Sequence, residues 1–559
     1  MNFFAKHQAL LERARQACRE RGHWSPFPDT AADYPDAEQA QSAARERFEA
    51  QLGRPFALEQ PGTVGELGEE VSPYTQAPLG IRYPRADPDA LFAAAEAALP
   101  AWAEAGIETR IGVLMEAVDR LYREALFEIA LAVQHTSGQS ANMAYAGSGV
   151  NALDRAIEAL VHAEDAMRAV PVQARWARRF GSANVVLDKR YRVVPRGVAV
   201  CFSCASFPTW NAWPSMLASL ATGNPVIVKP HPAAVLPMAL SVRLLRRVLT
   251  EAGFDPNLVT LALDSTAEPL GKVLVQHPAT RIVDFTGSAQ FGVWVEKNAH
   301  PAIVFTETSG CNTVVLESAA DLDAALRALA TTLCMFSGQM CTSPQNFYVP
   351  RQGVRTPSGL VSFDEVARRL AAAVQAIATE PRRAAMILAA IQAPQTVALL
   401  DELEARGAEV GEVLLGSHAY PHPAYPAART RTPLLIRTDT RHRALYGQER
   451  FGPIGFVIAC EDAADALAQA TTDTREFGGL TAFLYSEDEA FIAAAEAAYA
   501  RAGAQLTVNL IGPMPLNFAA AYSDYHVTGL NPAGNASLTE PNFVTSRFRI
   551  VQSRRPAAA

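Results

Sequence analysis

The period of apolar positions changes along this chain, and each change predicts a change of structure. From about Asp87 to Met167, ALFAAAEAALPAWAEAG and IGVLMEAVDRLYREALFEIALAVQHTSGQ place apolar residues three and four apart, so a helical layer is predicted. NVVLDKRYRVVPRG then alternates residue by residue and stops at Pro195 and Gly197, as a half-buried strand does. Beyond it, short apolar runs alternate with helical stretches. VAVCFSC, PVIVKP, LVTLALD, RIVDFTG and IVFTET read as strands. WPSMLASLATG, AVLPMALSVRLLRRVLTEAG and SAQFGVWVEKNA read as helices, the second stopping at Gly253. Apolar strands separated by helices predict a parallel sheet covered on its faces. A second region, about Asn312 to Ile511, has the same mixed character, with Ala-rich helices and the strands PIGFVIAC, TAFLYS and LTVNL. EPNFVTSRFRIVQSRR adds a candidate terminal strand.

The first 75 residues are polar with scattered proline. MNFFAKHQALLERARQACRER predicts a charged surface helix and lacks the apolar run of a signal peptide. QPGTVGELGEEVSPYTQAPLG predicts turns and an irregular arm. Gly197 to Val228 carries no charged residue, yet Pro208, Pro214, Pro225, Asn211 and Asn224 suit a lipid-embedded helix poorly. A strand, a loop, a buried helix and a second strand fit it better. The expected organisation is an N-terminal helical extension and arm (1–75), an α/β unit (76–310) with a β-segment at about 183–196, a second α/β unit (311–511) and a C-terminal segment (512–559).

Composition narrows the classes. A chain of 559 residues, 49% hydrophobic, exceeds one small core. A net charge of -8 provides no basic surface for nucleic acid. Seven cysteines in this length predict reduced thiols in a cytoplasmic protein, not a disulfide framework. No His/Cys group has zinc-like spacing, so no metal is expected.

The chemistry lies in short motifs in a fixed order: FPTWNAWP with Trp210 and Asn211, VIVKP with Lys229, FTGSAQFG with Gly287 and Ser288, FTETSGCN with Glu307, SGQMC with Cys341, and GQERFGPIGFV with Glu449 and Phe451. Each has an ordinary explanation. Asn211 would cap a helix, Lys229 before Pro would end a strand, FTGS would be a turn, Glu307 a surface carboxylate and Cys341 a packed thiol. Their joint order is harder to explain so.

The ordered set, with Glu307 and Cys341 34 residues apart, resembles the aldehyde dehydrogenase superfamily over roughly residues 75–555. FFAKHQALLERARQACRERGHWSPFP, SPYTQAPLGIRYP, FPTWNAWPSMLASLATGNPVIVKPHPAAVLPMA and EAGFDPNLVTL make the chain similar, within it, to the PaaN-type proteins of phenylacetate degradation. The resemblance implies an α/β fold with a Rossmann-like cofactor domain (76–310), a catalytic domain (311–511) and a β-arm for oligomerisation, to which the C-terminal segment returns. It implies that Cys341 adds to an aldehyde as thiolate. The Asn211 amide and the Cys341 N–H would hold the oxyanion. Glu307 would activate water on the resulting thioester.

Lys229 is implied at the adenosine ribose, Gly287 and Ser288 near the pyrophosphate, and Glu449 and Phe451 at the nicotinamide; Trp210 falls among the cofactor residues. NAD-preferring relatives usually carry a glutamate three residues after the lysine. Here that residue is Pro232, with His231 beside it as a possible phosphate donor, so NADP is expected, NAD remaining possible. The implied substrate is the coenzyme A-linked semialdehyde from ring opening, with a separate hydratase opening the ring, and the implied assembly a homodimer or dimer-based oligomer. The alternatives are a dehydrogenase of a free aromatic or aliphatic aldehyde, an inactive cofactor-binding protein, and a cysteine thioesterase. CFSC, with Cys201 and Cys204, lies in an apolar strand and reads as core more readily than as a redox pair. GPMPLNFAAAYSDYHVTGLNPAGNASLTEP departs from common aldehyde dehydrogenases, so Tyr525, His526 and Asn531 are candidates to face a different substrate, or to form an ordinary loop.

Overall fold

The apolar runs assemble into two sheets in a computed structural model that describes residues 2–536, 538 and 540–558. The first sheet has five parallel strands in the order Val259–Leu261, Val226–Pro230, Val198–Ser203, Thr280–Thr286, Ile303–Glu307. The chain winds outward from Val198–Ser203 in both directions, which leaves a crevice beyond the carboxyl ends of the strands, the usual ligand position in open α/β sheets. Lys229 and Gly287 leave the sheet on either side of this central strand. The stretch 197–228 is a strand, the helix Pro208–Ala221 and a second strand. Among the described residues no helix is long and apolar enough to cross a membrane.

The second sheet has seven strands, ordered Glu412–Leu415, Leu434–Asp439, Ile454–Cys460, Pro344–Pro350, Asn312–Leu316, Thr481–Tyr485, Gln505–Val508. All pairs are parallel except the first, an antiparallel edge. Each sheet is buried between apolar clusters on its two faces. Only five residues separate Glu307, the end of the first sheet, from Thr313, where the second begins to pair with both its neighbours.

A third, antiparallel sheet joins distant parts of the chain: Gln173–Phe180, Ala183–Pro195 and Phe548–Pro556, with Phe548 opposite Pro195 and Pro556 opposite Leu187. The terminal strand forms as expected, while Gln173–Phe180 is a strand that the charged sequence QARWARRF concealed. Just before the terminal strand, the buried Arg547 donates to Asp284 at 2.8 and 2.5 Å and to Ser219 Oγ at 2.7 Å. Its guanidinium lies 4.3 and 4.2 Å from the Phe305 and Phe543 ring centres.

Two readings of the N-terminal part need correction. The helix Phe3–Glu20 is not a free surface helix, because His7, Leu11, Ala14, Ala17 and Cys18 are buried. It lies on the helix Ile107–Arg120, with His7 Nε2 2.8 Å and Lys6 Nζ 2.5 Å from Glu116. Nor is 60–80 wholly irregular, since Thr63–Leu67 pairs antiparallel with Tyr83–Ala86.

Candidate active site

The segment around Cys341 is shaped before its chemistry is considered. Phe336, Ser337 and Gly338 all have positive φ (48°, 51° and 60°), an unusual run for two residues with a Cβ. Side-chain hydrogen bonds hold it. Ser337 Oγ donates to Leu388 O at 2.8 Å, and Gln339 Nε2 donates to Phe336 O and Ala390 O at 3.1 and 3.0 Å while its Oε1 accepts from Gln392 N–H at 2.8 Å. Gly338 is required, because a Cβ there would lie 2.3 Å from Gly452 O. So SGQM is a tight, fully bonded turn that presents Cys341.

The buried Asn312 completes this clamp, a role the sequence reading did not assign. Its Nδ2 donates to Cys341 O and Ser343 O, both at 2.8 Å, and its Oδ1 accepts from Leu480 and Thr481 N–H, both at 3.0 Å. Gly310 passes close beneath, where a Cβ would sit 2.0 Å from Cys341 O. A side chain cannot be accommodated there without moving the thiol.

Glu307 is buried at the end of its strand. Its carbonyl accepts from Gly287 N–H at 3.1 Å, and Gly534 bridges its other side. Oε2 accepts from Asn211 Nδ2 at 3.1 Å and lies 3.2 Å from His526 Nε2, while Oε1 carries no hydrogen bond. Burial alone would raise this carboxyl. The neighbouring His526, with hydrogen bonds from His526, Cys341 and Asn211, outweighs burial and holds it below the usual carboxylate range. The Cys341 thiol moves the other way, pushed well up by burial and by the Glu307 charge.

Cys341, Asn211, Trp210 and His526 border one cavity of about 530 Å³. Trp210 is buried, with Nε1 donating to Asn151 Oδ1 at 2.7 Å. Of the seven cysteines Cys341 alone lines this cavity. Cys201 is buried in its strand, Cys204 lies 3.9 Å from Asn211 Oδ1, and burial raises both thiols. The roof comes from both ends of the chain, including Trp24 and Phe27 from the extension and Asn517, Phe518 and Ala519 from the C-terminal segment. These parts are fastened together: Arg21 donates to Tyr525 OH at 2.8 Å, and Trp24 packs on Tyr522 at 5.0 Å. Of the three residues singled out in that segment, only His526 reaches the site. Tyr525 is exposed beneath the Arg21 guanidinium, and Asn531 bonds backbone at Gly479, Ala502 and Gly503. Ser537 and Thr539 of the same segment lie outside the described residues.

Of the other predicted residues, Lys229, Gly287 and Ser288 stand at or just beyond the carboxyl ends of first-sheet strands, and Glu449 lies against Gly310. Lys229 Nζ is 2.7 Å from Asp264 Oδ1, a partner the sequence did not reveal. His231 is exposed, its Nδ1 accepting from Ala233 N–H at 3.1 Å, and Pro232 is half-buried. Ser288 caps the helix Ala289–Asn298, and Gly287 N–H is spent on Glu307 O. Glu449 and Phe451 are half-buried. Burial, partly offset by the Gly310 N–H and reinforced by Glu307, pushes the Glu449 carboxyl up to about 7. A cation, a carboxylate and a capped helix N-terminus are groups of the kinds that hold the ribose hydroxyls and phosphates of a dinucleotide.

Comparison with known proteins bears on this site. Residues 63–511 match the aldehyde dehydrogenase family, and the chain belongs to it. A crystal structure of an NAD-dependent aldehyde dehydrogenase from Burkholderia multivorans superposes over all of both chains, with TM-score 0.96 at 46% identity. A vanillin dehydrogenase of Pseudomonas fluorescens is 30% identical over 467 residues, covering 78% of this chain and 83% of that protein. A 1-pyrroline-5-carboxylate dehydrogenase of Geobacillus thermodenitrificans is 28% identical over 335 residues, and the match spans only 61% of its length. The fold is that of an aldehyde dehydrogenase, and the class is NAD(P)-dependent.

Proposed function

We propose that this chain oxidises a free aldehyde with a sizeable apolar or aromatic body to its carboxylic acid. The observation that carries this reading is the cavity at Cys341. Trp24, Phe27, Met143, Phe207, Trp210 and Phe518 contribute to its walls, and among the described residues no lysine or arginine does. The Arg155 guanidinium, 5.5 Å from the Trp210 ring centre, is engaged by Glu158 and by the carbonyls of Ala519, Ala520 and Asp524. Asn517 Oδ1 is buried without a hydrogen bond, a ready acceptor for a hydroxyl on the substrate. The vanillin dehydrogenase among the relatives acts, by its name, on an aromatic aldehyde.

In this reading the Cys341 sulfur adds to the carbonyl carbon, and the Asn211 amide stabilises the oxyanion. Bound NAD or NADP supplies the hydride acceptor. Glu307 then takes a proton from water through its unbonded Oε1, and the hydroxide attacks the thioester on Cys341. The free acid leaves and the thiolate is regenerated.

The PaaN-type resemblance supports a second reading, the coenzyme A-linked semialdehyde with a separate hydratase upstream. Its phosphates would need cations outside the cavity, since the walls supply none. For the cofactor, Pro232 removes an acidic group that would oppose NADP, but Asp264 beside Lys229 restores one. With the NAD-dependent structural relative, this favours NAD over the NADP expected from sequence. The arm sheet exposes Phe180, Ile550 and Val551, which supports assembly of copies through it.

The test is the initial rate of nicotinamide reduction, with each cofactor separately, on a panel of aromatic and aliphatic aldehydes and on the coenzyme A semialdehyde, with Cys341→Ala as control. Turnover of free aromatic aldehydes supports the reading. Turnover of the coenzyme A substrate alone would replace it with the second.

A further inference from the structure

We propose that His526 is a third catalytic residue, the base that takes the proton from the Cys341 thiol, with Glu307 as its carboxylate partner. The proposal rests on the reading of Cys341 as nucleophile. His526 Nε2 lies 4.0 Å from Cys341 Sγ and 3.2 Å from Glu307 Oε2. One donor atom from each of the three residues falls within 4.8 Å of the others. The imidazole is buried, its ring edge-on to Trp210 at 4.6 Å and 74°. The next residue, Val527, has φ 62° and anchors the bend in a small apolar cluster with Leu480 and Ala533, against which Cys341 also packs.

This arrangement answers a difficulty in the site. Thiolate, not thiol, is the nucleophile, and a free cysteine ionises near pH 8.5. Here burial and the Glu307 charge both oppose ionisation. Among the described residues no lysine or arginine lines the cavity to compensate. An imidazole beside the sulfur is the group that resolves this. With Nδ1 protonated and Nε2 free, the S–H bond breaks, its proton passes to Nε2, and the new N–H faces both the thiolate and Glu307 Oε2, which lie against the same nitrogen. The thiolate then bonds to the aldehyde carbon. On deacylation the C–S bond breaks, and the same imidazolium receives the departing thiolate as its counter-ion. The Glu307 Oε1 that handles the water proton is not used in this pair.

The titratable groups facing His526 are Glu307 from the first sheet and Cys341 from the SGQMC turn. Trp210 and Asn211 approach from the helix Pro208–Ala221, with the Arg155 guanidinium 5.5 Å from the Trp210 ring centre. Asp154 lines the same cavity, and Glu449 acts on Glu307 from the second sheet.

The experiment is the rate of iodoacetamide alkylation of Cys341, located by mass spectrometry, from pH 5 to 10 without substrate or cofactor. Wild type, His526→Gln, His526→Ala and Cys341→Ala are compared. Wild type should label on a plateau that begins well below pH 8. His526→Gln should label at least about tenfold more slowly at pH 7, within the range expected for a lost general base, and regain the rate only at alkaline pH. Added imidazole should restore part of the rate in His526→Ala. A variant profile coinciding with wild type overturns the proposal. If the variants do not fold, the wild-type profile decides alone, and the absence of trappable thiolate below pH 8 overturns it. Failure of the nucleophile reading is separate: another cysteine would then be labelled, or Cys341→Ala would keep its dehydrogenase activity.

Discussion

The floor and the roof of the cavity hold their residues by different means. On the floor, the Phe336–Gly338 turn, Gln339 and Asn312 spend hydrogen bonds on backbone groups and leave Cys341 as the group facing the cavity. The roof meets the cavity with Trp24, Phe27, Phe518 and Ala519, supplied by segments on either side of both sheets. Directional bonds fix a reacting atom within a narrow tolerance, whereas apolar contacts tolerate changes of shape. In the proposed reaction the floor therefore sets the chemistry, and the roof sets which aldehyde undergoes it.

Substitutions on the floor should be the most damaging. Cys341→Ala should abolish cofactor reduction on every aldehyde, a loss on the order of 10⁴-fold or more. Glu307→Gln should keep a first-turnover burst in a stopped-flow trace and lose about 10²–10⁴-fold in the steady state. Because Glu307 is held below the usual carboxylate range, its basic form persists on acidification. The deacylation rate should thus stay level from neutral pH down to about pH 5, and an earlier fall would contradict the assigned base. Asn312→Ala tests the clamp itself. Leaving the Cys341 and Ser343 carbonyls and two N–H groups unbonded should cost about 1–3 kcal/mol per group left unsatisfied and lower kcat with little effect on KM.

On the roof, Phe27→Ala should lower kcat/KM for bulky aromatic aldehydes by about tenfold and leave acetaldehyde turnover unchanged. An equal loss on both substrates would erase the contrast between floor and roof. The smallest effect is expected at the crevice, where Asp264→Asn should raise the NADP-to-NAD ratio of kcat/KM by severalfold, up to about tenfold, by removing a charge beside Lys229.

What could be read from sequence followed from contiguity. Asn211, Glu307 and Cys341 stand in short motifs whose joint order carries the family resemblance, and most strands of both sheets are continuous apolar runs. Asn312 was printed in FTETSGCN but carries no signal, because its partners lie 29 to 169 positions away. His526 was named with Tyr525 and Asn531 only as a candidate to face the substrate, because its contact with Cys341, 185 residues away, leaves no local pattern. Asp264 ends an unremarkable LALD and gains meaning only when two strands lie side by side. The helix Phe3–Glu20 misled for another reason: its buried stripe is built from His7, Leu11, Ala14, Ala17 and Cys18, of which only Leu11 is large and apolar, hidden among charges.

The buried pair between Asp284 and Arg547 also bears on how the chain is made. The carboxylate sits in a strand next to the centre of the first sheet, and its counter-ion arrives 263 residues later. While that stretch is being synthesised, the sheet closes only at the cost of an uncompensated charge, worth several kcal/mol. Closing this sheet in its final form therefore draws on a distant arginine as well as on the local apolar runs.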